Sequence, residues 1–315
     1  MKTSLKHTFR RGFERDGAKT SGFFKLQKIR TGEKFMFQGV LKIIVILGQT
    51  ATGKSNLAVK IAKKIGGEII SADSRQVYKG LDIGTGKITL KEMKGIPHHL
   101  LDVAHPKNKF TVAEYKELAE KIIKEIIARG KIPIICGGTG FYIDAITKGV
   151  IFPKVPPNLK LRKSLVTKSA MALFVILNKL DPERAKNIDS HNEVRLIRAI
   201  EIAKALGKVL PITEATPPYE FKKIGLYLPP DKLKKKVEKR VEKMFQNGLL
   251  REIKKLKKAG VSDKRLKELG FEYFNPTYEK VVKKTLQYAK RQMTWFKRDK
   301  EIKWFDASKK IELKS

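Results

Sequence analysis

The sequence predicts an α/β fold with a parallel sheet at its centre, and three observations carry that expectation. Short runs rich in β-branched residues recur at 41–47 (LKIIVIL), 68–72 (EIISA) and 132–136 (IPIIC). Segments of helical period lie between them, and glycine-rich turns close the strands. Strand, helix, strand, helix, strand at this spacing implies parallel strands with ligand sites at their carboxyl ends.

Taken in order, the 41–47 run reads as a buried strand entering a glycine-rich turn and then a helix over 54–65. Leu57, Ala58, Ile61, Ala62 and Ile65 give that helix its apolar face, and Gly66-Gly67 ends it. The strand at 68–72 runs into Asp73-Ser74. Thr111 and Glu114 form a capping box that opens a helix to about Arg129, with Val112, Tyr115, Leu118, Ile122 and Ile126 on one face and Gly130 as the stop. The third strand, 132–136, ends in Gly137-Gly138-Thr139. Between Pro153 and Pro218 the strand signals vanish, and a helical pattern bounded by Pro156-Pro157 and Pro217-Pro218 marks an inserted subdomain. A returning strand is expected at 224–228 (IGLYL). Beyond Asp231, Leu233, Val237, Val241, Met244/Phe245, Leu249, Ile253 and Leu256 share one buried helical face that breaks at Asn247-Gly248, and a last basic helix covers 278–297. The domain plan is a basic extension over 1–40, expected to be disordered, a core from 41–152 and 218–315, and a helical insertion over 153–217.

The chain has 315 residues, 69 Lys+Arg against 32 Asp+Glu, a net charge of +37 and a hydrophobic fraction of 41%, enough for a real core. Residues 1–35 hold ten Lys/Arg and three Asp/Glu, and residues 231–315 hold 27 and twelve. Such charge points to a polyanionic partner, nucleic acid before membrane, although solvated helix faces in a Lys-rich protein account for part of it. The longest apolar runs, such as 170–177 (AMALFVIL), fall short of the ~20 residues a membrane span needs, so no membrane partner is expected. A single cysteine, Cys136, excludes an internal disulfide and a thiolate metal cage, and a reducing cytoplasm fits. Residues 1–35 carry no uninterrupted apolar stretch for a signal peptide, and Glu14, Asp16 and Glu33 weigh against a transit peptide.

The strongest motif is GQTATGKS: Gly48, Gln49, Thr50, Ala51, Thr52, Gly53, Lys54 and Ser55. It fits G-x-x-x-x-G-K-[ST] between a strand and a helix, the context a P-loop requires. Gly48 and Gly53 let the backbone N–H groups and the helix N-terminus face a phosphate, Lys54 adds a point charge, and Ser55 can hold Mg²⁺. The ligand is therefore a di- or triphosphate. The usual partner in nucleotide hydrolases is a carboxylate ending a hydrophobic strand, yet the third strand ends in Gly-Gly-Thr. Asp73 is the carboxylate so placed, at the end of the second strand and expected beside the P-loop. An Asx turn or N-cap explains it structurally; beside bound phosphates it serves as a general base or a metal ligand.

GQTATGKS, ISADSRQVYKGLDIGTGK, GIPHHLLDV, FTVAEY and PIICGGTGFYIDAI, in this order, resemble the tRNA dimethylallyltransferase family, and the likeness continues through DPERAKNID and NEVRLIRAIEI to AKRQMTWFKRD. The resemblance covers roughly residues 41–306. It implies an α/β fold with a P-loop NTPase-like parallel sheet core and an inserted helical domain that binds tRNA. It also implies transfer of a dimethylallyl group from dimethylallyl diphosphate to the exocyclic amine of an adenine next to the anticodon, with Mg²⁺; a monomer is the working expectation, which the sequence itself does not fix. By the same resemblance Asp73 is the base position, Lys54 and Thr139 join it in catalysis, and residues 48–55 cradle the diphosphate. Contacts to the tRNA anticodon stem-loop fall to Asp73, Ser74, Arg75, Gln76, Thr139, Arg162, Arg195, Arg198, Lys290 and Arg291. The chemistry agrees, because an allylic diphosphate reacts as its leaving group departs and a phosphate cradle stabilises that departure. A stacked adenine must be extruded to be reached.

Weaker features have plainer readings. His98-His99 is a poor chelate without a Cys/His cluster, and Asp82 suits a turn. Arg195 and Arg198, three apart on a helix, can face one phosphate backbone or solvent. Lys290-Arg291-Gln292 with Trp295 can line tRNA, while at least two of Trp295, Phe296, Trp304 and Phe305 are expected in the core. The chain departs from the family pattern at Gly270-Phe271-Glu272, where many members carry Gly-Tyr-Arg/Lys, so no arginine against the diphosphate is assignable from sequence. The N-terminal extension is the second departure. A P-loop kinase or ATPase of a small acceptor, a nucleic-acid-binding protein with a vestigial P-loop, and an isopentenyltransferase acting on free adenine nucleotides are the competing readings.

Overall fold

The computed structural model describes residues 23–25, 36–37, 40–209, 213–309 and 311–314. Along the chain, β1 (Phe23–Lys25) and β2 (Met36–Phe37) precede β3 (Val40–Gly48), α1 (Lys54–Ile65), β4 (Gly67–Ala72), α2 (Leu90–Met93), β5 (His98–His99), α3 (Val112–Ala128), β6 (Ile132–Gly137) and α4 (Gly140–Thr147). Then come β7 (Val150–Ile151), α5 (Leu159–Leu165), α6 (Ala170–Leu180), α7 (Pro182–Lys186), α8 (Glu193–Leu206) and β8 (Thr213–Glu214). The chain returns through β9 (Glu220–Tyr227), α9 (Pro230–Gln246), α10 (Leu249–Lys258), α11 (Asp263–Leu269), α12 (Tyr278–Phe296), β10 (Lys303–Asp306) and β11 (Glu312–Lys314).

Residues 1–143 with 218–315 form one compact unit and residues 144–217 a second. In the first, strands in the order β10-β9-β3-β6-β4-β5 pair in parallel, and β2 adds antiparallel to β3. The sheet reads as continuous hydrophobic sequence because both faces are covered. Ile44, Ile46, Ile69, Ile134 and Cys136 share a cluster with Leu57, Ala58, Ile61 and Ala62 of α1, while the alternate residues Ile43, Val45, Ile70 and Ile135 are also fully buried. Each such Ile contributes about 2–3 kcal/mol by leaving water.

Helix boundaries follow local chemistry. Gly53 (φ +87°) opens α1 and Gly66 (φ +67°) closes it, its N–H bonding to the Ala62 carbonyl. Thr111 and Glu114 complete the expected reciprocal cap on α3. The buried stripe of α3 is Tyr115, Ala119, Ile123 and Ile126, so Leu118 and Ile122, expected at its centre, are only half-buried and flank it. Leu233, Val237 and Val241 of α9 pack with Val281 and Ala289 of α12 as their spacing predicts.

The strand order corrects one inference. β6 lies between β3 and β4, because the connection through α1 passes over one strand position. Asp73 therefore follows a strand that is not the immediate neighbour of the P-loop strand. At the amino terminus, Phe23–Lys25 pairs in parallel with Glu312–Lys314 and Met36–Phe37 pairs with β3. The rest of the expected basic extension lies outside the described residues. No helix among the described residues is long and apolar enough to cross a membrane.

The second unit opens at Asp144, within α4, rather than at Pro153, and adds a two-stranded antiparallel β7-β8 pair to its helices. Leu165, Leu173, Leu177, Leu196 and Ile200 give it a core of its own. Glu201, 2% exposed, is its polar hub. The carboxylate accepts from the Asn158 N–H (2.9 Å), from Arg162 Nε and Nη2 (2.7 and 2.6 Å) and from Arg198 Nη1 (3.2 Å). Burial alone would raise its pKa, but these donors outweigh it and hold the carboxyl below the usual Glu range. Glu201→Ala is expected to destabilise this unit by about 3 kcal/mol by stranding two guanidinium groups and a backbone donor, as read by thermal unfolding. Because the folded pKa is depressed, the contribution is present above the ordinary Glu range and lost as pH falls through the folded value. Glu201→Gln should flatten that acid limb.

Candidate active site

The P-loop turn is built by backbone geometry that few residues accept. Gly48 has φ +126°, and a Cβ there would lie 2.2 Å from the Leu226 carbonyl oxygen. Ala51 takes the left-handed region at φ +62°, costing about 1–2 kcal/mol, which curls successive N–H groups toward one centre. Gly53 caps α1 without a side-chain hydrogen bond, and the first internal bond runs from Leu57 N–H to Gly53 O. The donors of the first helical turn are thus left for an anion.

Gln49 is not one of the open ligands its place in the motif suggests. At 3% exposure its N–H donates to Leu226 O (3.3 Å) and its Oε1 accepts from Leu228 N–H (3.1 Å), tying the turn to β9. Its carbonyl accepts from Thr52 Oγ1 (2.8 Å) and from Lys54 Nζ. Thr50 donates its N–H to Gln292 Oε1 at 2.7 Å. Ala51, Gly53, Lys54 and Ser55 line the cavity above the turn, and so do Asp73, Arg75, Gln76 and Gly137-Gly138. Desolvation, with the Arg240 charge adding to it, pulls the Lys54 ammonium down to about 8.

Asp73 forms the Asx turn foreseen for it and also faces the cavity. Its Oδ1 accepts the N–H groups of Arg75 (2.9 Å) and Gln76 (3.3 Å) in an Asx turn. No hydrogen bond engages Oδ2 among the described residues, and Asp73 lines the cavity. Thr139 fastens this corner: its Oγ1 accepts from Ser74 N–H (3.0 Å) and its N–H donates to Ala72 O (3.1 Å). Tyr288, its phenol pushed by burial up to about 12, completes the wall.

The basic residues divide. Arg75 bonds Glu272 at 2.6 Å and stacks against Phe271 and Tyr288. Burial opposes its charge, but Glu272, Tyr288 and Asp73 together outweigh that and hold the guanidinium high. Arg162 and Arg198 are spent on Glu201, Arg198 also donating to Val155 O (2.9 Å). The two arginines differ in setting: Arg195 is exposed, while Arg198 is held by the buried Glu201 carboxylate and the Val155 carbonyl. Lys290 and Arg291 lie exposed on α12. Phe296 and Phe305 are core, while Trp295 and Trp304 are half-buried. His99 bonds Glu68 Oε2 at 2.7 Å on the sheet edge, and Asp82 pairs with Lys87 at 2.7 Å.

Sequence reading missed Arg240. It lines the same cavity as Lys54 and donates from Nη2 to Thr85 O at 2.7 Å. Burial works against its charge, which Asp73 and Glu272 partly restore. A signal existed: Arg240 falls three residues after Val237 and four before Met244, on the buried face of α9. Glu252 was missed as well. It accepts the N–H groups of Asp82, Ile83 and Gly84 (3.0, 2.7 and 3.1 Å) and the Tyr273 hydroxyl (2.9 Å), pinning the loop whose Thr85 orients Arg240.

A family model described as IPP transferase matches residues 76–299. The chain is similar to a tRNA dimethylallyltransferase of Anoxybacillus flavithermus, 40% identical over 84% of this chain and 90% of that one. It resembles that of Caldanaerobacter subterraneus at 42%, over 84% and 91%. Among solved structures it is similar to the full-length tRNA isopentenylpyrophosphate transferase of Bacillus halodurans, with a TM-score of 0.62 and 37% identity over 84% of this chain and 90% of that one. It is also similar to a eukaryotic dimethylallyltransferase acting on tRNA, with a TM-score of 0.72 and 29% identity over 84% and 74%.

Proposed function

Because this chain belongs to the IPP transferase family, we propose that it moves a dimethylallyl group from dimethylallyl diphosphate to the exocyclic amine of an adenine beside the anticodon of tRNA. It is a tRNA dimethylallyltransferase. One observation carries the chemistry: an anion cradle flanked by Lys54 and Arg240 shares a cavity with a carboxylate, Asp73. The amine nitrogen attacks the allylic carbon, the carbon–oxygen bond to diphosphate breaks, and Asp73 Oδ2 takes the amine proton. The loop N–H groups, Lys54 and Arg240 stabilise the departing charge.

The donor set suits Mg²⁺ only together with the substrate. The Ser55 hydroxyl lines the cavity, and no group of three His, Cys, Asp or Glu among the described residues could hold a metal, so the remaining ligands would be diphosphate oxygens and water. Bound there, Mg²⁺ would neutralise leaving-group charge. We further propose that the chain acts as a monomer, in the cytoplasm, with its tRNA.

The test is purified protein with Mg²⁺, tRNA and dimethylallyl diphosphate, followed by mass spectrometry of the nucleosides. One five-carbon unit on an anticodon-loop adenine, with no ATP turnover, is expected. Rapid ATP hydrolysis with no modified adenine would replace this reading with a kinase or ATPase.

A pH dependence follows from Lys54. Its ammonium is free to lose a proton near pH 8, and a bound diphosphate raises its pKa. Donor affinity should be level below about pH 8 and weaken above it by up to about tenfold per unit, with proton uptake on binding. Calorimetry in two buffers of different ionisation enthalpy reads that proton. Lys54→Arg, whose charge does not titrate, should abolish it.

A further inference from the structure

Gln292 lies on α12 at 5% exposure, within the stretch that sequence reading turned toward tRNA. Its amide is spent inward at both ends. Oε1 accepts the Thr50 N–H at 2.7 Å, and Nε2 donates to the Gly138 carbonyl at 2.9 Å. The two partners belong to opposite halves of the cavity. Thr50 is part of the anion cradle, whereas Gly138 leads into Thr139, whose hydroxyl holds Ser74 beside Asp73.

The fit at Gly138 is close: a Cβ there would lie 2.3 Å from Gln292 Nε2. Trp295, three residues on, is keyed against Gly140, where a Cβ would lie 2.3 Å from its ring. α12 is thereby registered on the exit of β6 at two points. On its other flank the cradle is tied to β9 through Gln49. With the Thr50 N–H occupied by protein, the anion-facing donors are those that follow it in the turn. A cradle fixed before the leaving group departs needs no reorganisation as charge develops.

Resting on the diphosphate reading of this cavity, we infer that Gln292 is a positioning residue for the cradle and not a tRNA contact. Its amide sets the turn against the β6 exit and holds the leaving-group donors at one spacing from Asp73.

Two variants separate the possibilities. Gln292→Leu keeps the volume and removes both hydrogen bonds. Gln292→Glu can restore both only when protonated, its carbonyl accepting from Thr50 and its O–H donating to Gly138. The readouts are the Kd of dimethylallyl diphosphate, kcat, and KM for each substrate. Gln292→Leu should weaken donor binding and raise donor KM by about tenfold, leaving KM for tRNA within about twofold. Gln292→Glu should be weaker still at neutral pH and recover as pH falls, a dependence the wild type lacks. Gly138→Ala, which displaces the amide, should move donor affinity the same way. Donor affinity unchanged or tighter in Gln292→Leu, or an effect confined to KM for tRNA, overturns the inference. If Gln292→Leu does not fold, the absence of acid recovery in Gln292→Glu overturns it equally. A wild-type protein that binds no diphosphate would bring down the cavity reading itself, and this inference with it.

Discussion

Asp73→Asn is expected to lower the transfer rate by about three orders of magnitude, within the range a positioned base contributes, while leaving donor and tRNA affinity nearly unchanged. The choice of Asn matters because Asp73 does two jobs. Its Oδ1 closes the turn onto Arg75 and Gln76, and an amide oxygen can keep those bonds. What Asn cannot do is take a proton at Oδ2. Asp73→Ala removes both, so it should lose the rate and also loosen the 73–76 turn. Single-turnover kinetics with pre-bound tRNA separates the two. An Asn variant of near-normal rate beside an inactive Ala variant would reduce Asp73 to a turn residue.

Glu252→Ala should be the most destabilising of the changes considered, at about 4 kcal/mol, since three backbone donors and the Tyr273 hydroxyl lose a shared acceptor, the Gly84 N–H and the hydroxyl in buried surroundings and the Asp82 and Ile83 N–H groups in partly buried ones. For a unit of this size that is a fall in Tm of roughly 10 °C. The loop it pins also carries Thr85, which orients Arg240, so donor affinity should drop in whatever fraction remains folded. Glu252→Gln keeps one accepting oxygen and should recover part of the loss. A Tm within about 2 °C of the wild type in the Ala variant would show that water or relaxation satisfies the loop.

Legibility followed how locally each feature is encoded. The bounds of α1 and the start of α3 were readable because glycine at Gly66 and the Thr111–Glu114 pair act on neighbouring backbone. β9 was read only from Ile224, since its first half, Glu220–Lys223, is largely polar and masks the strand period. β10, four residues reading KWFD, carries no alternation that distinguishes it from a loop; its pairing with β9 makes it a strand. The cradle was visible as a motif, and Asp73 as the carboxylate that ends a hydrophobic strand, a reading the resemblance then sharpened. Arg240 and Glu252 were hidden by composition: each is a buried charge in a run of lysines and glutamates that look alike until the helix face is known. The pairing of Arg162 and Arg198 with Glu201 was hidden for the converse reason, since nothing in the sequence says that Glu201 is buried and draws in cations.

The interposed β6 has a consequence for the reaction's geometry. Neighbouring strands lie about 4.8 Å apart, so the ends of β3 and β4 are separated by about 10 Å across the exit of β6. That exit is Gly137-Gly138, whose Cβ positions are blocked by Ala72 O at 2.1 Å and Gln292 Nε2 at 2.3 Å, leaving a floor of bare backbone. In the proposed reaction, a diphosphate at the β3 end and an amine meeting Asp73 at the β4 end are spaced by this single intervening strand, which serves as a ruler between them. Side chains on the walls can change how tightly either substrate is gripped. The interval between the bond that breaks and the atom that receives the proton belongs to the hydrogen-bonded backbone.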